Sequence, residues 1–214
     1  MKWAGVCLAI AMATALARAD DDLATIKSRF VDSILTNVPE TRQSIAQAGD
    51  RHAATLKPDG SWPDVDYKDE ARSRWGAAEH LQRLLLIAKA CRIGSDDKAK
   101  ALSALQYWLD HDYRNSNWWW NEIGVPRLMG ETALLIQSDL SESQHQAVSK
   151  ILSRGVWTKW TGQNLIWGVT NQILRGCLDN DEQVVAEAYK RFYDEIRIAP
   201  DGKLISNKEE KEER

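Results

Sequence analysis

Residues 117–126 read N-W-W-W-N-E-I-G-V-P, and the three consecutive tryptophans Trp118, Trp119 and Trp120 constrain whatever surrounds them. Neighbouring side chains are separated by about 100° on a helix and about 180° on a strand, so three in a row cannot share one buried face. At least one indole is therefore expected to face outward. Leaving a large apolar side chain in water forgoes about 1.5–3 kcal/mol, and Asn117, Asn121 and Glu122 place hydrogen-bonding groups beside the rings. That combination suits a sugar: an indole plate covers the apolar C–H face of a pyranose while amides and carboxylates take its hydroxyls. The competing reading is that the indoles wedge between helices as core filler. The polar neighbours and the Gly124-Val125-Pro126 break weigh against it without removing it.

The same stretch resembles the N-W-W-x-x-E-I-G-x-P signature of polysaccharide lyase family 8, the hyaluronate, chondroitin AC and xanthan lyases. By that resemblance Trp118 and Trp119 are the paired aromatic residues that position the sugar chain, and Asn117 belongs to the same substrate-binding stretch. Asn117 and Glu122 are better suited to holding the loop than to proton transfer. Trp120 falls on a variable position and is a candidate for the core.

The chain has 214 residues, enough for one domain with a sizeable core or for part of a larger one. Lys2, the apolar run 3–17 and the Ala17-Arg18-Ala19 pattern read as a cleaved signal peptide over residues 1–19, implying a secreted or periplasmic protein. Its removal takes Lys2 and Arg18 and no acid, moving the formal charge from −3 to −5. An acidic mature chain argues against a general nucleic-acid binder. No stretch approaches the roughly 20 apolar residues of a membrane span, so no membrane insertion is expected. Cys91 and Cys177 remain after processing, each on the apolar face of an expected helix; buried free thiols are the preferred reading over a disulfide.

Almost every later segment carries helical periodicity, and no β-alternation of useful length appears, so the fold class is all-α. Leu23, Ile26, Phe30 and Ile34 mark a first helix, and a second is expected over 41–56. A Pro- and Gly-bearing loop, P-D-G-S-W-P-D-V-D-Y at 58–67, separates these from a helix expected over 70–93, with Gly94 just beyond it. Ser95 or Asp96 is expected to cap the next helix. Pro126 suits a first helical turn, and Ser141 with Gln144 forms a capping box. His80 and His111 read as lone histidines near helix surfaces, without a second ligand one turn away, so no metal site is assigned. Short connections favour antiparallel helix pairs. Periodicity alone supports a helical bundle or array; the resemblance implies an incomplete (α/α) toroid over residues 20–202, followed by a charged tail at 203–214.

A second informative stretch, W-T-K-W-T-G-Q-N-L-I-W-G at 157–168, contains T-G-Q-N, similar to the family's T-G-x-N. The resemblance implies that Asn164 is the catalytic asparagine, which neutralises the substrate carboxylate. These enzymes cleave uronic-acid-containing polysaccharides by β-elimination: a base removes the C5 proton and the C4–O bond breaks. The developing carbanion sits beside an ionised carboxylate, so a preorganised amide N–H aimed at that carboxylate lowers the barrier; loss of one such donor typically costs about 10²–10³ in rate. From the residues alone, Asn164 is as well explained as a helix-capping residue after Thr161 and Gly162. No cofactor is implied.

The family's base and acid are a histidine and a tyrosine downstream of the asparagine. E-I-R-I-A-P-D-G at 195–202 resembles the lead-in to that segment, but K-L-I-S-N-K-E-E-K-E-E-R follows where the histidine pattern is expected. The reading is thus a secreted lyase-type domain that binds an acidic polysaccharide and turns it over weakly or not at all. A non-catalytic carbohydrate-binding remnant is the alternative. An inverting glycosidase using Asp64, Glu122 or Glu131 is a third reading, although Asp64 and Asp66 suit turn chemistry better. The particular polysaccharide and the oligomeric state stay open.

Overall fold

The computed structural model describes residues 22–35, 39–198 and 204–206. The signal-peptide reading at 1–19 and residues 207–214 of the expected tail lie outside the described residues. The described elements are helices α1 (22–34), α2 (Pro39–Thr55), α3 (Ala78–Arg92), α4 (Lys98–His111), α5 (Val125–Leu135), α6 (Glu142–Leu152), α7 (Gly162–Asp179) and α8 (Glu182–Glu195), then strands β1 (Ile196–Ile198) and β2 (Leu204–Ser206). The strands form one antiparallel ribbon pairing Ile196 with Ser206. Three residues of the stretch read as a charged tail are thus strand, too short for an alternation pattern to register.

The helices form two rows. α3, α5 and α7 pack side by side, while α4 and α6 lie against each other and against that first row, and α2 and α8 flank it at α3 and α7. This is an array of paired helices, and it matches the all-α expectation. The core runs along the first row through Leu81, Leu84, Met129, Ala133, Leu165 and Leu174, with Trp108 reaching in from α4. Gly130 on α5 permits the close approach: a Cβ there would meet Leu152 Cδ2 at 2.8 Å and Leu174 Cβ at 3.1 Å. No helix among the described residues is long and apolar enough to cross a membrane.

Local signals explain most element ends. The Ser141 hydroxyl accepts the Gln144 N–H and the Gln144 side chain accepts the Ser141 N–H, the expected capping box. Asp181 caps α8 by accepting from Gln183 and Val184. Gly94 takes φ +120°, and Asp112 and Asn180 close α4 and α7 in the left-handed region.

Three expectations need correction. α3 begins at Ala78, eight residues later than expected, because Asp69 collects the N–H groups of Ala71 (3.0 Å) and Gly76 (2.5 Å) and its carbonyl takes Trp75 Nε1 (3.0 Å), winding 69–76 into a turn. Asp97, rather than Ser95 or Asp96, precedes α4. His80 is buried, not near the surface: α2, α4 and α5 surround α3, so that helix has almost no solvent face. Cys91 and Cys177 are both buried and free.

The connections alternate in length along the chain. Those after α2, α4 and α6 are long, and successive reversals bring them to one end of the rows; those after α3, α5 and α7 are short. The long ones touch in sequence. Asn115 Nδ2 donates to the Ala71 carbonyl at 3.1 Å, and Arg154 Nη2 reaches both oxygens of Asp112 at 2.6 Å. Both sequence motifs lie at this end.

Candidate functional site

The first motif is a helix with a fault in it. Helical winding begins at residue 118 and runs into α5, but Trp120–Gly124 is a π turn. Such turns add a residue to the helix and concentrate at functional sites. Asparagines hold this entry. Asn117 Oδ1 accepts the Trp119 N–H (3.1 Å) and its Nδ2 donates to the Arg72 carbonyl (3.0 Å), so Asn117 both caps the helix and ties it to the preceding long connection. Asn115 Oδ1 accepts the Asn117 N–H at 2.8 Å, and Asn121 bonds both the N–H and the carbonyl of Asn115. Asn117 is thereby engaged in holding the loop, the task preferred for it from sequence.

The three indoles diverge, as their spacing requires. Trp120 turns inward against the core and Trp75, with ring centroids 5.9 Å apart, and its Nε1 donates to the Arg72 carbonyl at 3.2 Å. Trp119 is half-buried and meets Trp167 of α7 edge to face at 5.6 Å and 81°. Trp118 is 45% exposed and leans on Trp160 at 5.6 Å. Core filler therefore describes Trp120 but not Trp118.

Glycines make room for this platform. A Cβ on Gly124 would lie 2.7 Å from ring atoms of both Trp119 and Trp120. One on Gly168 would lie 2.6 Å from Trp157 Cβ and 2.9 Å from Trp160 Cε3, and one on Gly155 2.7 Å from the Trp160 ring.

The second motif opens α7. Thr161 is the N-cap and Asn164 lies in the first turn, so the helix-capping reading does not describe Asn164. Its carboxamide is half-buried and has no hydrogen-bond partner among the described residues. Residues three, four and seven apart share a helix face, which places Asn164, Trp167 and Asn171 on one stripe of α7. Trp167 on that stripe meets Trp119, and Asn171 Nδ2 donates to the Ile123 carbonyl of the π turn at 3.2 Å. The free carboxamide thus sits one turn from the indole that touches Trp119. The N-terminal end of the α7 dipole favours an anion there.

Other residues hold this corner. Glu195, at the end of α8, accepts the Gly162 N–H (3.1 Å) on one oxygen and Arg191 Nη1 (3.2 Å) on the other, and Arg191 Nη2 donates to the Trp160 carbonyl at 2.8 Å. Trp160, Trp167, Arg191 and Glu195 were not singled out from sequence. The W-x₂-W-x₆-W spacing of Trp157, Trp160 and Trp167 around Asn164 carried a signal for the first two; nothing local marks Arg191 or Glu195.

Of the acid candidates, Asp64 and Glu131 are otherwise employed, whereas the half-buried Glu122 carboxylate has no partner among the described residues. Arg83 makes a two-point bond to Asp64 (2.7 and 2.8 Å) and holds that carboxyl down at about 2, far too acidic for a general acid. Asp66 Oδ1 accepts the Lys68 N–H in a turn. Glu131 pairs with Arg127 at 3.0 Å. His80 is locked in the core: its Nε2–H donates to the Ala104 carbonyl at 2.8 Å, so Nδ1 accepts from Tyr67 O–H at 3.0 Å.

Paired helices in two rows, with the long connections gathered at one end around an indole platform, define a segment of a helical toroid. The chain belongs to polysaccharide lyase family 8: residues 22–203 match the N-terminal α-helical domain of that family. It is 30% identical over 170 residues to chondroitinase-AC of Pedobacter heparinus, covering 75% of this chain and 24% of that relative. A chondroitinase AC lyase solved in oligosaccharide complexes superposes with a TM-score of 0.74 at 27% identity, over 83% of this chain and 27% of that one. The chondroitin AC lyase of Streptomyces coelicolor A3, solved with chondroitin sulphate, shares the fold at a TM-score of 0.69 and 20% identity, over 87% of this chain and 30% of that one. The chain therefore spans about a quarter of the length of the relatives it matches first.

Proposed function

We propose that this chain binds a uronic-acid-containing polysaccharide across the Trp118–Trp119 platform and presents the uronate carboxylate to Asn164, the arrangement required for β-elimination. The observation that carries the reading is a carboxamide with no partner among the described residues, on the α7 stripe whose next turn holds the ring packed on Trp119. In this reading Trp118 stacks on a sugar face, Trp119 forms the wall beside it, and Asn117 positions both by fixing the helix entry. Asn164 donates its N–H groups to the carboxylate and stabilises the charge that grows there as the C5 proton leaves. An amide serves because it has no proton of its own to lose in this range. The relatives' association with chondroitin supports an acidic polysaccharide as ligand.

Proton transfer needs a base within about 3 Å of the C5 hydrogen. His80 is consumed by the core and His145 pairs with Asp179 at the far end of α7, while among the described residues no hydrogen bond or ring contact joins His52 or His111 to Asn164 or to the tryptophans of the platform. We infer that these 214 residues by themselves bind without efficient turnover, and that the protein acts outside the cell after loss of residues 1–19. The inverting-glycosidase reading is not retained, since Arg83 holds Asp64 ionised and Glu131 is paired with Arg127, which leaves Glu122 without the second carboxylate that mechanism needs.

The test is binding of a chondroitin oligosaccharide, followed by indole fluorescence, with absorbance of the unsaturated uronate recorded in parallel. Trp118→Ala should weaken binding about tenfold, since covering roughly half of a large apolar side chain contributes about 1–1.5 kcal/mol. Asn164→Ala should weaken binding of the acidic oligosaccharide and not of its carboxyl-reduced form. Indifference of both ligands to both substitutions would remove the proposal.

A further inference from the structure

The platform is flanked by cations that the protein leaves unpaired. Of the seven carboxylates on the three long connections, five are satisfied within the protein: Asp59 by Ser61 and Lys57, Asp64 by Arg83, Asp66 by the Lys68 N–H, Asp69 by Ala71 and Gly76, and Asp112 by Arg114 and Arg154, while Glu70 and Glu122 have no partner among the described residues. Arg72, Arg74 and Lys159 are exposed and have no ion pair or hydrogen bond from their side chains among the described residues.

Two of these are fixed to the platform through their own backbone or its neighbour. The Arg72 carbonyl receives both Asn117 Nδ2 (3.0 Å) and Trp120 Nε1 (3.2 Å), which anchors Arg72 beside one edge of the tryptophan helix. Lys159 closes the short 3-10 turn Trp157–Lys159 and precedes Trp160, the ring on which Trp118 leans. Arg191 holds that turn by donating to the Thr158 and Trp160 carbonyls. Arg72 and Lys159 are thus each tied through backbone to the elements that carry Trp118 and its partner ring Trp160, and their charges are unclaimed among the described residues.

We propose that Arg72 and Lys159 form anion-binding subsites beside the tryptophan platform, taking the carboxylate or sulfate groups of the sugars that flank the one stacked on Trp118. The proposal rests on the polysaccharide-binding reading above and deepens it. It explains how a chain of net negative charge accepts a polyanion: the compensating charge is local to the platform. Local fields of this kind raise the concentration and on-rate of an oppositely charged ligand and weaken with salt.

The experiment is calorimetric titration of the chain at 50, 150 and 300 mM NaCl with three octasaccharides: chondroitin sulfate, its desulfated form, and the desulfated form with carboxyls reduced. Arg72→Gln and Lys159→Gln should each weaken binding of the sulfated ligand about two- to fivefold at 50 mM salt, the range for an exposed charge contact. The double variant should bind with a flatter salt dependence than wild type. Persistence of the penalty after desulfation assigns the contact to carboxylates, and its loss assigns it to sulfates. The penalty should vanish for the neutral ligand. Trp118→Ala should weaken all three ligands without altering the salt slope. Binding that needs Trp118 but keeps its strength and salt slope in the double variant would overturn the subsites and leave the platform reading standing. Absence of binding by wild type would overturn both.

Discussion

His80 anchors the long connection between α2 and α3 to the core, and acidification should release it. The imidazole is 0% exposed. It donates from Nε2 to the Ala104 carbonyl and accepts at Nδ1 from Tyr67 O–H, whose oxygen in turn accepts the Trp62 N–H at 3.0 Å. Burial pushes its pKa down from 6.5 to about 4; the Ala104 carbonyl acts against this, and the positive charges of Arg83 and His111 add to it. A histidine whose folded pKa is depressed binds its proton better when unfolded. Its contribution is therefore complete above about pH 6.5 and lost as pH falls towards 4. That gap, at about 1.4 kcal/mol per unit, amounts to about 3 kcal/mol. Urea unfolding between pH 7 and 4 measures it. His80→Gln is the control, because an amide can donate to Ala104 and accept from Tyr67 without titrating. His52, also depressed by partial burial, acts in the same direction in both proteins and cancels in the comparison. The wild type should lose most of that 3 kcal/mol relative to the variant. Parallel decline of the two across this window would refute the reasoning.

Further outcomes follow from the same contacts. Asp64 is held at about 2 by Arg83, so its stabilising contribution is present above the ordinary carboxylate value of 3.8 and lost only as pH falls towards 2; Asp64→Asn should remove that lower step and leave the histidine step intact in the same urea series. Gly168→Ala places a methyl 2.6 Å from Trp157 Cβ and should destabilise by about 1–3 kcal/mol in thermal unfolding while weakening oligosaccharide binding. Asn117→Ala removes a cap and the tie to Arg72, costing about 1 kcal/mol, with a red shift of indole emission as Trp118 loses its seat. Burial pushes the Cys177 thiol up to about 11, and Cys91 rises for the same reason, so neither should react with a thiol reagent at pH 8 until the protein is unfolded.

Much of the fold was legible because amphipathic helices announce themselves by period, and the Ser141–Gln144 box and Gly94 mark their ends without reference to tertiary contacts. That three adjacent indoles cannot all be buried was legible too, while the choice of Trp118, Trp119 and Asn164 as candidates came from the resemblance of their two motifs to the family's. What was illegible depended on partners distant in sequence. Residues 70–77 have helical composition, but Asp69 binds the N–H groups of Ala71 and Gly76, and no local propensity reveals that choice. His80 reads as a surface residue until α2, α4 and α5 are wrapped around its helix. The π turn at Trp120–Gly124 has no composition signature; it is held by Asn171 from α7, 48 residues beyond Ile123. The same holds for Arg191 and Glu195, whose work at the Trp160 turn appears only when α8 folds back on α7.

The central claim is that one acidic sugar touches an indole and a carboxamide at the same time. The most direct measurement is a heteronuclear NMR titration with a chondroitin oligosaccharide, following the Trp118 indole N–H and the Asn164 side-chain amide together. The expected result is that both signals shift with a common midpoint, and that the carboxyl-reduced oligosaccharide moves Trp118 while leaving Asn164 in place. A stationary Asn164 amide with the acidic ligand, or midpoints that differ between the two groups, would contradict it.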